Sequence, residues 1–143
     1  MGFMFLKKNF KANLRLQKKS NIKLLDVGCM STKPKFQTID TNEESKRFDF
    51  FLKNISEYYD YSIDSFNPLV IRKAIDNGFL IINDVTGFKE DRLIKIAKEE
   101  GCGIIVMHNN PKSNYLHEKM NYKNIVEEVN SHLQMQVDNL VDK

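Results

Sequence analysis

The most informative polar side chains stand at the ends of four short apolar runs. These residues are Asp26, Asp64, Asn83 with Asp84, and His108. In α/β folds with parallel strands, the carboxyl ends of the strands line the ligand crevice, so such side chains would converge on one site. A carboxylate accepts two parallel hydrogen bonds, while a carboxamide donates and accepts side by side. This set therefore suits the edge of an aminopyrimidinone ring, as found in pterins and guanines.

Taken singly, each of these residues has a plainer interpretation. An Asp after a strand is as often a turn former as a ligand-binding group. Polar endings on four strands out of four are harder to obtain by chance, which favours a shared site. His108, His117 and His132 lack the spacing of metal ligands, so the residues predict no metal site. Cys29 and Cys102 lack a C-x-x-C spacing, and we expect reduced thiols and a cytoplasmic protein.

Alternating apolar runs and amphipathic segments would position these side chains. The predicted strands are 22–28, 61–65, 79–85 and 103–108. Residues Thr41-Asn42-Glu43-Glu44 match a capping box and predict the start of a helix. Asn67-Pro68 predicts the start of the next helix, and Gly78 its end. A last helix carries one apolar face, composed of Ile125, Val126, Val129, Leu133, Val137, Leu140 and Val141.

This alternation predicts an α/β fold with about four parallel strands joined by helices. The pattern fits both a doubly wound sheet and a (β/α) barrel, and periodicity does not choose between them. Residues 1–20 are predicted to form an N-terminal helix, and residues 21–143 the strand-and-helix segment. An apolar fraction of 41% in 143 residues is enough for a core.

Charge and hydropathy narrow the classes of partner. The net charge is +3, and the basic residues near the amino terminus are best explained as a solvated helix face. We therefore expect no nucleic-acid partner. No apolar run approaches the roughly 20 residues that span a bilayer, so no membrane partner is expected either.

Four motifs at the strand ends resemble the dihydropteroate synthase family. The run Asp26-Val27-Gly28-Cys29-Met30-Ser31-Thr32-Lys33-Pro34 is similar to the family's Asp-x-Gly-Gly-Glu-Ser-Thr-Arg-Pro. Ser62-Ile63-Asp64-Ser65 resembles its Ser-Val-Asp-Thr/Ser strand. Ile81-Ile82-Asn83-Asp84-Val85-Thr86-Gly87 resembles Ile-Asn-Asp-x-x-Gly, and Val106-Met107-His108 resembles its Met-His strand. Order and spacing agree over roughly residues 22–140, which makes the set far more specific than any single motif.

The resemblance implies a fold, a reaction and roles for individual residues. The fold would be a partial (β/α)8 TIM barrel, and residues 1–143 one partial pterin-binding domain. Family members condense 6-hydroxymethyl-7,8-dihydropterin pyrophosphate with p-aminobenzoate in folate biosynthesis, with Mg²⁺. Asp64 and Asn83 would hydrogen-bond the pterin, and Met107 would pack on its face. The loop that closes on p-aminobenzoate would contain Ser31, Thr32, Lys33 and Pro34.

The sequence departs from the family pattern in ways that bear on activity. Cys29 and Met30 replace Gly-Glu, and Lys33 replaces an Arg whose planar fork an ammonium does not reproduce. Counterparts of the first strand, which binds the metal, and of the later strands are not identified. A full barrel needs about 250 residues, so we expect a homo-oligomer or a complementary chain that supplies missing strands. The alternatives are a non-catalytic pterin-binding remnant, a degraded gene product, or a methyltetrahydrofolate-dependent methyltransferase domain.

Overall fold

The computed structural model describes residues 21–30, 39–109 and 121–141. Within these ranges, four strands alternate with four helices. The strands are β1 (Leu24–Gly28), β2 (Asp60–Asp64), β3 (Ile81–Asn83) and β4 (Gly103–Ile105). The helices are α1 (Thr41–Leu52), α2 (Pro68–Asp76), α3 (Asp91–Glu100) and α4 (Ile125–Val141). The predicted helix within residues 1–20 lies outside the described residues.

The strands form one parallel sheet in the order β1-β2-β3-β4. Each strand pairs with the next one along the chain, as in a segment of a (β/α) barrel. A doubly wound sheet would instead reverse its strand order at a switch point. The described part of the sheet has no such reversal, so the topology chooses the barrel arrangement that periodicity left open.

The core lies between one face of the sheet and the helices α1 to α3. Strand alternation sends Leu25, Val27, Ile63 and Ile82 to this helix-facing side, where all four are buried. Their helical partners share complete or nearly complete burial and include Phe48, Phe51, Val70, Ile71, Ala74, Leu93 and Ile94. We call the opposite side of the sheet the inner face, because it faces the axis of a barrel.

Two of the three predicted helix signals agree with the structure. The Asn67 side chain accepts a hydrogen bond from the Leu69 amide, and Gly78 follows α2 with a φ of 85°. The capping box was misplaced by one residue. Asp40 caps α1 by accepting a hydrogen bond of 2.9 Å from the Glu43 amide, and Thr41 is already helical.

The last helix differs from the prediction in its packing. Helix α4 does run from Ile125 to Val141, but none of its residues is buried. Val141 is 79% exposed and Val126 65%, while Leu140 is the residue that packs partly against the core. The apolar face predicted from the sequence is therefore largely uncovered in the described part of the chain.

Candidate active site

The inner face brings two of the predicted site residues side by side. In the parallel register, Gly28 pairs with Asp64, and Asp64 pairs with Asn83. These three residues form one row at the carboxyl ends of β1, β2 and β3. Asp26 and Ser62 form the row before it on the same face, because side chains two residues apart point to the same side of a sheet. Of the strand-end residues predicted to converge, Asp64 and Asn83 therefore share this row, and Asp26 lies in the row before it.

Asp64 is the least satisfied polar group of the row. Its Oδ1 atom is buried and accepts no hydrogen bond from any residue that the structure describes. Burial, together with the negative charges of Asp26, Glu44 and Asp84, raises the pKa of the Asp64 carboxyl to about 6. A buried acceptor without a partner costs free energy, so Asp64 is ready to receive donors from a ligand.

Gly28 leaves room for the Asp64 carboxyl. A Cβ atom added at Gly28 would lie 3.0 Å from Asp64 Oδ2 and 3.4 Å from its Cβ. Since this contact is tighter than most real Cβ contacts, any larger side chain would push on Asp64. The glycine of the Asp26-Val27-Gly28 motif thus acts here through space rather than through backbone conformation.

Asp26 is already engaged with its neighbours across the sheet. Its Oδ1 atom accepts a short hydrogen bond from the Ser62 hydroxyl. Its Oδ2 atom accepts a hydrogen bond of 3.1 Å from Nδ2 of Asn83. Both carboxylate oxygens of Asp26 therefore have protein partners, in contrast to Asp64.

Asp84 lies one residue beyond β3 and serves its own loop. It is fully buried, and its carboxylate accepts hydrogen bonds of 2.8 Å from the Thr86 amide, the Thr86 hydroxyl and the Phe88 amide. It acts on the site row through its negative charge, which raises the pKa of Asp64. Among the four strand-end acids and amides, Asp84 is the one that matches the plainer interpretation of a turn former.

Met107 and His108 follow β4 but do not share one environment. Nδ1 of His108 lies 2.8 Å from Nδ1 of His132 on α4, and its Nε2 lies 2.8 Å from the Tyr122 hydroxyl. His108 is thus directed to the helix side of the sheet, not to the row of Asp64. Met107 is half-buried, two residues beyond Ile105 of the inner face.

Glu44 is a site neighbour that the sequence reasoning missed. It is 2% exposed on α1 and accepts hydrogen bonds from the Ser65 hydroxyl at 2.7 Å and from Nδ2 of Asn67 at 3.1 Å. It thereby ties α1 to the segment that leaves β2. A signal was present, because Glu44 precedes Phe48 and Phe51 at helical spacing on the buried stripe.

The motif after β1 is described only in part. Cys29 is buried, and burial raises the pKa of its thiol to about 12, so it does not supply a nucleophilic thiolate at neutral pH. The backbone carbonyl of Cys29 accepts a hydrogen bond of 3.4 Å from Arg47. Ser31, Thr32, Lys33 and Pro34, predicted to contact p-aminobenzoate, lie outside the described residues.

The described residues do not fit a magnesium ion. No three His, Cys, Asp or Glu side chains converge on one point in the parts of the chain that the structure describes. Asp26 and Asp84, the nearest acids to Asp64 on the strand ends, have their oxygens engaged by protein donors. Nor does any helix in these parts have the length and apolarity to cross a membrane.

Comparison with known proteins identifies relatives for this arrangement. The chain is 33% identical over 109 residues to a dihydropteroate synthase of Clostridium beijerinckii, a match covering 74% of this chain and 38% of that protein. It is 32% identical over 95 residues to the enzyme of Bacillus subtilis, covering 64% of this chain and 33% of the relative. The match therefore spans little more than a third of these curated relatives.

Solved structures of the same enzyme share the fold. Dihydropteroate synthase of Thermus thermophilus in complex with 4-aminobenzoate superposes with a TM-score of 0.74 at 27% identity, covering 92% of this chain and 51% of that one. The enzyme of Anaplasma phagocytophilum with bound 6-hydroxymethylpterin-monophosphate gives 0.70 at 28% identity, covering 84% and 50%. The four strands thus correspond to part of a (β/α)8 barrel. Residues 10–143 also match the family described as pterin binding enzyme, and the chain belongs to that family.

Proposed function

We propose that this chain carries the pterin-recognising part of a dihydropteroate synthase. The reaction is the condensation of 6-hydroxymethyl-7,8-dihydropterin pyrophosphate with p-aminobenzoate in folate biosynthesis. One observation carries the proposal. The buried, unpartnered Oδ1 of Asp64 lies in register beside Asn83 on the inner face, where a ligand would sit.

The chemistry of the two side chains fits a pterin. An ionised Asp64 accepts two parallel hydrogen bonds from neighbouring N–H groups, such as N3–H and the 2-amino group of the ring. Asn83 adds an amide at the next strand, and Met107 would pack a polarisable thioether on the ring face. The related Anaplasma enzyme, solved with 6-hydroxymethylpterin-monophosphate, supports the class of ligand.

The p-aminobenzoate half of the proposal depends on the loop after β1. Ser31, Thr32, Lys33 and Pro34 would belong to the segment that contacts this second substrate. The Thermus relative, solved with 4-aminobenzoate, supports the substrate class. Catalysis would consist mainly of holding the two substrates in a reactive geometry. No step in this scheme is assigned to Mg²⁺, since the described residues do not fit it.

A second candidate, pterin binding without catalysis, has its own supporting observation. Asp26, Glu44 and Asp84 all raise the pKa of Asp64, so the field at the row is negative. Such a field attracts the N–H edge of a pterin. It destabilises the negative charge that develops on the pyrophosphate leaving group in the transferase reaction. Turnover of p-aminobenzoate distinguishes the two candidates.

The exposed apolar surface supports an association partner. Ile104 and Ile105 of the edge strand β4 are 38% and 39% exposed, and Leu24 of β1 is 44% exposed. Strand edges with apolar side chains favour pairing with further strands. We infer either a homo-oligomer or a complementary chain that completes the barrel.

The free thiols of Cys29 and Cys102 support a cytoplasmic setting.

Calorimetric titration with 6-hydroxymethylpterin tests the proposal. Asp64→Ala should weaken binding at least about 100-fold, because it removes two charge-assisted hydrogen bonds that are each worth roughly 1.5–3 kcal/mol. Asp60→Ala, at the exposed opposite end of β2, is the matched control and should bind normally. Affinity in the unmodified chain should fall about tenfold per unit below pH 6 as Asp64 takes up its proton.

Two outcomes would overturn parts of this proposal. If the unmodified chain produces no binding heat, or if the two variants weaken binding equally, the assignment of the pterin site is wrong. If pterin binds through Asp64 but the pyrophosphate ester and p-aminobenzoate yield no dihydropteroate, either with this chain alone or with a chain that completes the barrel, the second candidate replaces the transferase.

A further inference from the structure

Asn83 does not stand alone on the inner face, because Asp26 holds its amide. Nδ2 of Asn83 donates to Oδ2 of Asp26 at 3.1 Å, and the Ser62 hydroxyl donates to the other oxygen, Oδ1. Ser62 is 1% exposed, so its hydroxyl is held in a buried position. The three side chains form a chain of hydrogen bonds that runs from β2 through β1 to β3.

The direction of this chain follows from the chemistry of a carboxylate. An ionised carboxylate only accepts hydrogen bonds, so the amide of Asn83 must turn its NH₂ group toward Asp26. The carbonyl oxygen Oδ1 of Asn83 then takes the other side of the amide. We propose that Asp26, oriented by Ser62, positions Asn83 so that its carbonyl oxygen faces the ligand beside Asp64 and selects ligands that place N–H donors there.

This inference rests on the proposed pterin recognition and adds a specificity to it. With Asn83 held, the acceptors offered to a ligand are Oδ1 of Asp64 and Oδ1 of Asn83. One N–H of the Asn83 amide is bound to Asp26, and the second N–H remains beside the carbonyl oxygen. A 2-amino-4-oxopteridine can donate hydrogen bonds to both acceptors from its 2-amino group and from N3–H. A 2,4-dioxopteridine has an oxygen in place of the 2-amino group, and two facing acceptors repel each other. Asp26 and Ser62 are thus positioning residues that need not touch the ligand.

Substitution of Asp26 separates this role from a general structural one. Asp26→Asn is isosteric and exposed, and its new NH₂ group can donate to Asn83, which frees the amide to turn over. The readout is the ratio of dissociation constants for 6-hydroxymethyl-lumazine and 6-hydroxymethylpterin, measured by titration. We expect Asp26→Asn to lower this ratio at least tenfold and Ser62→Ala to lower it less. Asp60→Asn should leave it unchanged.

A ligand-free measurement keeps the inference independent of binding. The side-chain amide of Asn83, assigned by its loss in Asn83→Asp, should shift in the ¹H–¹⁵N spectrum of Asp26→Asn and not in that of Asp60→Asn. If pterin binds and the ratio is unchanged in Asp26→Asn, the selectivity is overturned while the proposed function stands. If neither pteridine binds, the proposed function and the selectivity both fall, and an unshifted Asn83 amide also overturns the positioning by Asp26.

Discussion

The two faces of this sheet differ in what their side chains do. The helix-facing side is filled by Leu25, Val27, Ile63 and Ile82, all buried against α1 to α3. The inner face carries Asp26, Ser62, Asp64 and Asn83. Asp26, Ser62 and Asn83 are hydrogen-bonded to one another, and Oδ1 of Asp64 has no hydrogen-bond partner among the described residues. Stability, and the ligand recognition proposed above, therefore depend on alternate residues of the same strands.

This division explains how the sheet can hold an unsatisfied carboxylate on one face without unfolding. Burial of the apolar side supplies the main favourable free energy of folding. The inner face can then hold Asp64 with an unpartnered oxygen and a raised pKa, at a cost that the other face offsets. Adjacent residues should consequently respond to mutation in opposite ways.

Ile82 and Asn83 provide the sharpest test, because they are neighbours on opposite faces. Ile82 is 0% exposed, so Ile82→Ala should lower the free energy of unfolding by about 2–5 kcal/mol through lost burial and a cavity. Asn83→Ala removes one hydrogen bond at the surface and should cost roughly 1 kcal/mol or less. Urea denaturation followed by circular dichroism measures both. Similar losses in the two variants would contradict the division of roles.

The sequence predicted the division better than it predicted the lengths of the strands. The predicted run 79–85 is a strand only over Ile81–Asn83, for two physical reasons. The Phe79 amide bonds to the Ala74 carbonyl at the end of α2, so it is not available to the sheet. Beyond Asn83, the Asp84 carboxylate draws the backbone amides of Thr86 and Phe88 into a turn. Apolar composition does not reveal either competitor.

Strand β4 was also predicted too long, and the cause lies in its neighbour. It was expected at 103–108 and ends at Ile105, because among the described residues it pairs only with β3, which itself ends at Asn83. The ladder cannot extend beyond its partner. His108, predicted as a strand-end candidate for the site, is then free to turn toward α4.

For the site, the residue types at the strand ends were predictable and their states were not. Asp26, Asp64 and Asp84 look alike in sequence, yet one is bound across the sheet, one is unpartnered and one closes its own loop. Asp26 takes its donors from Ser62 and Asn83 on other strands, whereas Asp84 takes its donors from the next four residues of the chain. The role of each acid could therefore be assigned only from the three-dimensional packing.

Asp64 should make the protein less stable at neutral pH than it is in mild acid. Folding raises the pKa of this carboxyl to about 6, so the folded state binds the proton more tightly than the unfolded chain. The resulting stability is complete below about pH 4 and is lost as pH rises through about 6. Asp64→Asn should therefore raise the free energy of unfolding at pH 7 by about 1–2 kcal/mol, a figure reduced because the carboxyl is partly exposed.

The measurement is urea denaturation at several values between pH 4 and pH 8. The difference between Asp64→Asn and the unmodified chain should grow with pH up to about 7. Asp60→Asn, on the exposed end of β2, should show no such trend. A constant difference across this range would mean that the unpartnered carboxyl is not the cause, and that recognition on the inner face costs the fold nothing.

Helix α4 differs from α1 to α3 because none of its residues is buried. Weakening its attachment should therefore give the smallest of the predicted changes in stability. Nδ1 of His132 on α4 lies 2.8 Å from Nδ1 of His108, which follows β4, and Leu140 packs partly against the core. A single proton can lie between these atoms, and two protonated rings would repel each other. Burial and the neighbouring His108 lower the pKa of His132, so the folded state binds this proton less well than the unfolded chain. The stabilisation is present above the ordinary histidine pKa and is lost as pH falls through the lowered value.

Acid should therefore loosen α4 before it affects the rest of the sheet. Hydrogen exchange of backbone amides in Ile125–Val141, corrected for the intrinsic effect of pH, should speed up as pH falls below the ordinary histidine pKa of about 6.5, while the amides of β2 stay protected. His132→Gln removes the ionisable ring, so the acid-dependent part should vanish at a cost of roughly 1 kcal/mol or less at pH 7. Asn130→Gln, an exposed position on the same helix, should keep the response. If His132→Gln keeps it too, the ring pair does not hold α4, and this helix depends on the partial packing of Leu140 instead.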